Sequence, residues 1–213
     1  KNKYKYKYLF IFIMLKNGHS LKKLEVGIDE AGRGPLFGRV YAAAVILNPE
    51  LKYDDTLIKD SKKLSKKKIL ESEQYVKDMA IDWSVAYSTE KRIDEINILH
   101  ATQEAMHKAI DKLSVRPEHI LVDGNYFTPY RDVPCLCVVK GDSTYYSIAA
   151  ASILAKTARD RYIEYMCDEH PFLDERYGIR TNRGYGAAKH IEGIKKNGIS
   201  EWHRRTFGIC KKY

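Results

Sequence analysis

Long apolar runs are missing from this chain: LFIFIML at residues 9–15 is seven residues long, against roughly 20 for a membrane-spanning helix. The KNKYKYKY before it imitates a basic leader, yet LKNGHSLKK offers no small-residue cleavage site, so neither a span nor export is expected. Cysteine is scarce. Cys135, Cys137, Cys167 and Cys210 form no CxxC pair, which argues against a zinc ribbon or a disulfide scaffold and implies reduced thiols in a reducing, cytoplasmic compartment. Cys135 and Cys137 are two apart on an expected strand, share a face and are expected to be buried there. Internal repeats and low-complexity linkers are absent after residue 24, and AKT at residues 155–157 lacks the glycine-rich turn of a phosphate loop. Acids are absent from residues 1–24, where Lys1, Lys3, Lys5, Lys7, Lys16, Lys22 and Lys23 supply seven of the +9 formal charges and leave +2 for the rest. Net charge is therefore a weak pointer to nucleic acid, and the useful signal is local: residues 59–68, Arg204, Arg205, Lys211 and Lys212.

What is present reads as one α/β domain. A chain of 213 residues, 44% of them apolar, can bury one sizeable core. Two apolar, β-rich runs, at residues 24–29 and 39–47, flank a GRGP turn short enough to make them antiparallel neighbours. A helix is expected over residues 65–79, with Ser65 as its cap, and a third strand over residues 81–88. Residues 90–113 read as one long helix with Ile96, Leu99, Met106, Ile110 and Leu113 on its buried stripe. Pro117 stops it. The short apolar runs 119–123 and 136–139 are expected central strands, and a helix rich in Ala and Ser, suited to lying close against a sheet, follows over residues 144–168. Residues 1–24 are expected to be a basic tail or an added edge strand, and residues 25–213 the domain itself.

Three of the expected strands end in acid. Asp29 and Glu30 close the first, Asp123 closes the fourth, and Asp142 follows the fifth. Successive strand side chains face opposite ways, so Asp29 and Glu30 serve one site only if the strand ends between them, and Gly32, Arg33 and Gly34 suit such an ending. Carboxylates gathered beyond strand ends form a site for hard divalent cations. Each acid also has an ordinary reading: a turn aspartate accepting backbone N–H groups, or a helix cap at Asp142.

The stretch VGIDEAGRGPLFG resembles the signature of the type 2 ribonucleases H, and within them the bacterial ribonuclease HII family. DSKKLS (residues 60–65), NILHAT (97–102), VDGN (122–125), KGDS (140–143), AASILAKTARD (150–160), RGYGAAKH (183–190) and HRRTFG (203–208) resemble family motifs in the same order. The resemblance covers about residues 25–208. It implies a ribonuclease H-like mixed five-stranded sheet flanked by helices, with a helical C-terminal extension and the strand of Asp29 beside that of Asp123. It implies an endoribonuclease that cuts RNA in RNA–DNA hybrids and beside single ribonucleotides in duplex DNA, leaving 5′-phosphate and 3′-hydroxyl ends, in ribonucleotide excision repair and DNA replication. Asp29, Glu30, Asp123 and Asp142 are then the catalytic acids and ligands of two divalent ions, Mg²⁺ or Mn²⁺. Gly32, Arg33 and Gly34 would read the 2′-hydroxyl together with Tyr185, while Lys62, Lys63, Lys189, Arg204 and Arg205 would hold phosphates.

Arg39 and the pair Gly186–Ala187 depart from the family pattern, which favours a proline at the first and Pro-Thr at the second; the latter is expected to loosen the tyrosine loop. Two neighbouring readings are a ribonuclease HIII-like enzyme, for whose N-terminal domain some two dozen preceding residues leave no room, and a noncatalytic nucleic-acid-binding module. A monomer is expected, without membrane contact; nothing in the residues bears on a sliding clamp.

Overall fold

The computed structural model describes residues 15–20, 23–59, 61 and 64–213. The mixed five-stranded sheet has the order β3-β2-β1-β4-β5. β1 (Glu25–Ala31) lies at its centre, antiparallel to β2 (Val40–Leu47) and parallel to β4 (His119–Asp123). β3 (Ala80–Ser88) and β5 (Cys135–Val138) are the edges. The hairpin β1–β2 and the neighbouring of β1 and β4 are as expected.

Alternation along β1 and β2 sorts the core onto two faces. Val26, Ile28, Ala42, Ala44 and Ile46 pack with Ala105, Met106, Ala109 and Ile110 of α2 (Glu90–Asp111). Ala43, Val45 and Leu47 face α1 (Lys66–Met79) and α3 (Tyr146–Glu169). The alanines of α3 allow that helix to come so near the sheet that a Cβ on Gly27 would lie 2.2 Å from the Ser147 carbonyl carbon. Backbone cannot yield as a side-chain tip can. Gly27→Ala should therefore lower stability by about 1–3 kcal/mol, read as a shifted denaturant midpoint; an unchanged midpoint would mean that α3 can slide.

The C-terminal extension comprises α4 (Phe172–Tyr177), α5 (Ile179–Asn182) and α6 (Ala188–Asn197). It buries Leu173, Tyr177, Ile179 and Ile194 against Tyr162, Ile163 and Met166 of α3 and against Leu36 and Phe37, which follow the GRGP turn.

Several expectations need correction. α2 is broken at Asn97, whose φ of 65° is not helical and whose Oδ1 accepts the Leu99 and His100 amides at 2.9 and 3.2 Å. Asn97 thus caps a second helical segment, and Leu99 is exposed rather than buried. Cys135 is exposed and Cys137 only half-buried, because β5 is an edge. The end of the N-terminal segment is docked: Lys16 N–H donates to Thr144 O at 2.8 Å, Tyr146 N–H donates to Lys16 O at 3.1 Å, and the Glu25 carboxylate accepts the His19 and Ser20 amides. The described part meets the start of α3; the rest of the expected tail or edge strand, residues 1–14, 21 and 22, lies outside the described residues. No helix among the described residues is long and apolar enough to cross a membrane.

Candidate active site

Sheet register assembles the acids. β1 and β4 are parallel with Ile28 opposite Val122, so the next residues along, Asp29 and Asp123, emerge side by side. Asp123 sits opposite Val138 of β5, after which Lys140 turns the chain with a left-handed φ of 58°. That turn lets Gly141 N–H donate to Asp123 Oδ1 at 2.7 Å and sets Asp142 in the 3-10 turn Gly141–Ser143, ahead of the N-terminus of α3. Asp142 is buried there. β1 does not end between Asp29 and Glu30, as the shared-site argument required, but stays paired with β2 to Ala31. Asp29 consequently faces α3, while Glu30 points to the other side and pairs with Arg33 Nη1 at 3.4 Å.

Asp29 is the electrostatic centre. Burial pushes its carboxyl well above the usual carboxylate range, and the neighbouring charges of Glu30 and Asp123 push it further. Hydrogen bonds from the Ser152 hydroxyl and from Glu30 N–H, the latter at 2.7 Å, oppose that rise without cancelling it. Ser152 Oγ is in turn 3.1 Å from Ser61 Oγ, which ties Asp29 to the DSKKLS loop. A buried carboxylate crowded by two others is short of positive charge, and its oxygen donors suit Mg²⁺ or Mn²⁺. Among the described residues no three His, Cys, Asp or Glu side chains stand close enough to hold one ion. An ion with three of these acids as ligands therefore requires at least one side chain to rotate.

Beside the acids, the GRG turn and Tyr185 meet. Gly32 has φ +97°, and a Cβ there would lie 2.3 Å from Arg159 Nε; one on Gly34 would lie 3.4 Å from the Tyr185 ring. Tyr185 and Arg33 are about half exposed. Lys189 and Arg205 are exposed, Arg205 donating its backbone N–H to Asp94 at 2.8 Å. Lys62 and Lys63 lie outside the described residues.

Arg204 is not where a phosphate-holding residue belongs. It is fully buried, with Nε donating to Gly38 O at 2.8 Å, Nη1 to Arg33 O and Pro35 O at 2.9 and 2.8 Å, and Nη2 to Gly32 O at 2.6 Å. Its guanidinium props the GRGP turn from beneath. Burial and Arg159 push its pKa down to about 9, whereas four carbonyl acceptors favour the charged form.

A sequence model of the family described as Ribonuclease HII matches residues 26–210. The chain belongs to the ribonuclease HII family. The ribonuclease HII of Parabacteroides distasonis is 50% identical over 187 residues, which are 88% of this chain and 91% of that protein. That of Bacteroides thetaiotaomicron is 48% identical over 186 residues, 87% of this chain and 90% of its own. The crystal structure of ribonuclease H2 from Pyrococcus horikoshii superposes with a TM-score of 0.70 at 28% identity, covering 88% of this chain and 95% of that one. The protein is thus a ribonuclease H, and its mixed sheet with helices on both faces is that of ribonuclease HII relatives.

For a ribonuclease HII, the residues missed by sequence reasoning stand behind the recognised ones. Ser152 was hidden among alanines read only as small. Arg159, a charge within that alanine-rich helix, was the stronger clue: it is buried, donates to Arg183 O at 2.8 Å and carries its cation 5.9 Å from the Tyr185 ring.

Proposed function

We propose that this ribonuclease HII hydrolyses the RNA strand of RNA–DNA hybrids and cuts at single ribonucleotides embedded in duplex DNA, leaving 5′-phosphate and 3′-hydroxyl ends. One observation carries the reading: the Asp29 carboxylate, buried beside Glu30 and Asp123 at the ends of adjacent parallel strands. Asp29, Glu30, Asp123 and Asp142 are the residues that would hold two divalent cations, Mg²⁺ or Mn²⁺. When bound, such ions activate the attacking water and neutralise the leaving oxygen. The protein's own part is to gather the acids from β1, β4 and the turn before α3, with Ser152 and Glu30 N–H holding the Asp29 oxygens in place against the burial that disfavours its charge.

Substrate choice falls to the turn behind the acids. The 2′-hydroxyl distinguishes ribose from deoxyribose, and the side-chain-free Gly32 and Gly34 allow the backbone of the turn to reach it. Tyr185, whose ring borders Gly34, packs on the deoxyribose that follows the target ribonucleotide. Lys189 and Arg205, with Lys62 and Lys63, contact phosphates and position the duplex without reading bases.

Cleavage of a hybrid duplex and of a duplex with one ribonucleotide, each with Mg²⁺ and with chelator, tests the reading; binding without metal-dependent cleavage would leave only a nucleic-acid-binding module. Tyr185 has its own test. Contact with a sugar uses the ring face, so Tyr185→Phe should keep much of the single-ribonucleotide activity and Tyr185→Ala should lose most of it. A continuous RNA strand has no such junction and should respond less. Equal losses for Tyr185→Ala on both substrates would remove the junction contact.

A further inference from the structure

We infer that the buried pair His190 and His203 is a one-way hydrogen-bond relay that holds the backbone of the Tyr185 loop and so makes both histidines positioning residues for substrate choice. Both imidazoles are buried. His190 Nδ1 is 2.8 Å from Tyr185 O, His190 Nε2 is 2.9 Å from His203 Nε2, and His203 Nδ1 is 3.0 Å from Ser200 N and 2.8 Å from Ser200 Oγ.

The direction follows from the two ends independently. A carbonyl only accepts, so His190 carries its proton on Nδ1 and presents a lone pair at Nε2. A backbone N–H only donates, so His203 Nδ1 is the lone pair and its Nε2 carries the proton. Both ends thus demand the same central bond, His203 Nε2–H donating to His190 Nε2. Burial keeps both rings neutral, pushing His203 down to about 3 with help from its neighbour, and His190 down as well. Tyr177 and Phe37 pack edge-on against His203 with ring centroids 4.9 and 5.5 Å away, which fixes the ring plane.

The loop needs this support at its second half. Its first half is tied by Asn182 Oδ1, which accepts Gly184 N–H at 2.8 Å, and by Leu36 N–H donating to Gly184 O at 2.8 Å. After Tyr185, α6 is preceded at its N-cap by Ala187, which has no side-chain acceptor for the helix's first amides. Apart from the local bond from Ala187 N–H at 2.8 Å, Tyr185 O depends on His190. The relay joins the tyrosine loop to the 200–204 turn, where Arg204 grips the GRG segment, so the two proposed substrate contacts share one buried scaffold.

The functional consequence rests on Tyr185 contacting the substrate as proposed above. The test uses the full-length enzyme. In a long-range proton–nitrogen spectrum of the parent near neutral pH, His190 should appear as the Nδ1–H tautomer and His203 as the Nε2–H tautomer; either ring in the opposite form overturns the relay. His190→Phe removes the donor to Tyr185 O and should raise KM for the single-ribonucleotide duplex about 2- to 10-fold, the equivalent of one net hydrogen bond, with kcat nearly unchanged. His190→Asn, whose amide can mimic Nδ1–H, should recover most of that loss. If the Phe and Asn variants behave alike, or affect the hybrid equally while Tyr185→Ala discriminates between substrates, the positioning role is wrong. If Tyr185→Ala does not discriminate, the tyrosine contact itself fails. The relay then stands or falls on the tautomers and on amide exchange at residues 184–187, faster in His190→Phe and restored in His190→Asn.

Discussion

Asp29→Asn should abolish cleavage, by more than the roughly 10- to 100-fold typical of residues that only support a ligand, while duplex binding stays measurable. The amide keeps the shape of the carboxylate and the acceptor for Glu30 N–H, but brings no negative charge to a cation. The same variant should be more stable than the parent in the presence of chelator. Burial, Glu30 and Asp123 all disfavour the charged Asp29, so the fold carries an electrostatic cost that a neutral isostere removes. Thermal unfolding in chelator, set beside a cleavage assay, reads both at once. Asp123→Asn should be equally inactive for want of its charge yet remain folded, since the Asn oxygen can still accept Gly141 N–H. Near-normal turnover by either variant would remove that residue from the mechanism.

Arg204→Lys should be nearly as damaging through structure. Lysine offers three donors from one point, and cannot span carbonyls on Gly32, Arg33, Pro35 and Gly38 that a planar guanidinium reaches together. Each buried carbonyl left unpaired costs about 1–3 kcal/mol, so a loss on the order of 3 kcal/mol is expected in denaturant titration. At a temperature where the variant remains folded, KM for ribonucleotide substrates should rise while the metal requirement stays put. A midpoint within about 0.5 kcal/mol of the parent, the range of an ordinary surface change, would show that the turn holds its shape unaided.

Much of this was legible in the residues, and the failures share a cause. β4 was placed to the residue because Pro117 and Gly124 punctuate an uninterrupted apolar run. The acids were legible because a carboxylate after such a run is conspicuous. Asn97 was not, since an N-cap in the middle of a helical stripe looks like an ordinary polar face until its left-handed φ is known. HRRTFG contains two adjacent arginines, and no local pattern says that Arg204 is buried while Arg205 is exposed; that depends on a turn some 170 residues earlier in the chain. The exposure of Cys135 likewise follows from strand order, a property of the whole sheet rather than of its own neighbourhood.

The central place of β1 also governs when the molecule can be finished during synthesis. Its parallel partner β4 arrives late: Leu24 N–H meets the Glu118 carboxylate across a sequence separation of 94 residues, and pairing of such distant segments is slow. Until β4 emerges from the ribosome, the hairpin strands can form but β1 presents one open flank of unpaired N–H and C=O groups, the kind of edge that invites association between chains. Asp29 lies on that strand, so in a nascent chain it stands with Glu30 alone while Asp123 and Asp142 are still missing. Truncated products that stop before residue 119 lack Asp123 and Asp142 and are therefore expected to cleave nothing and to be prone to aggregation.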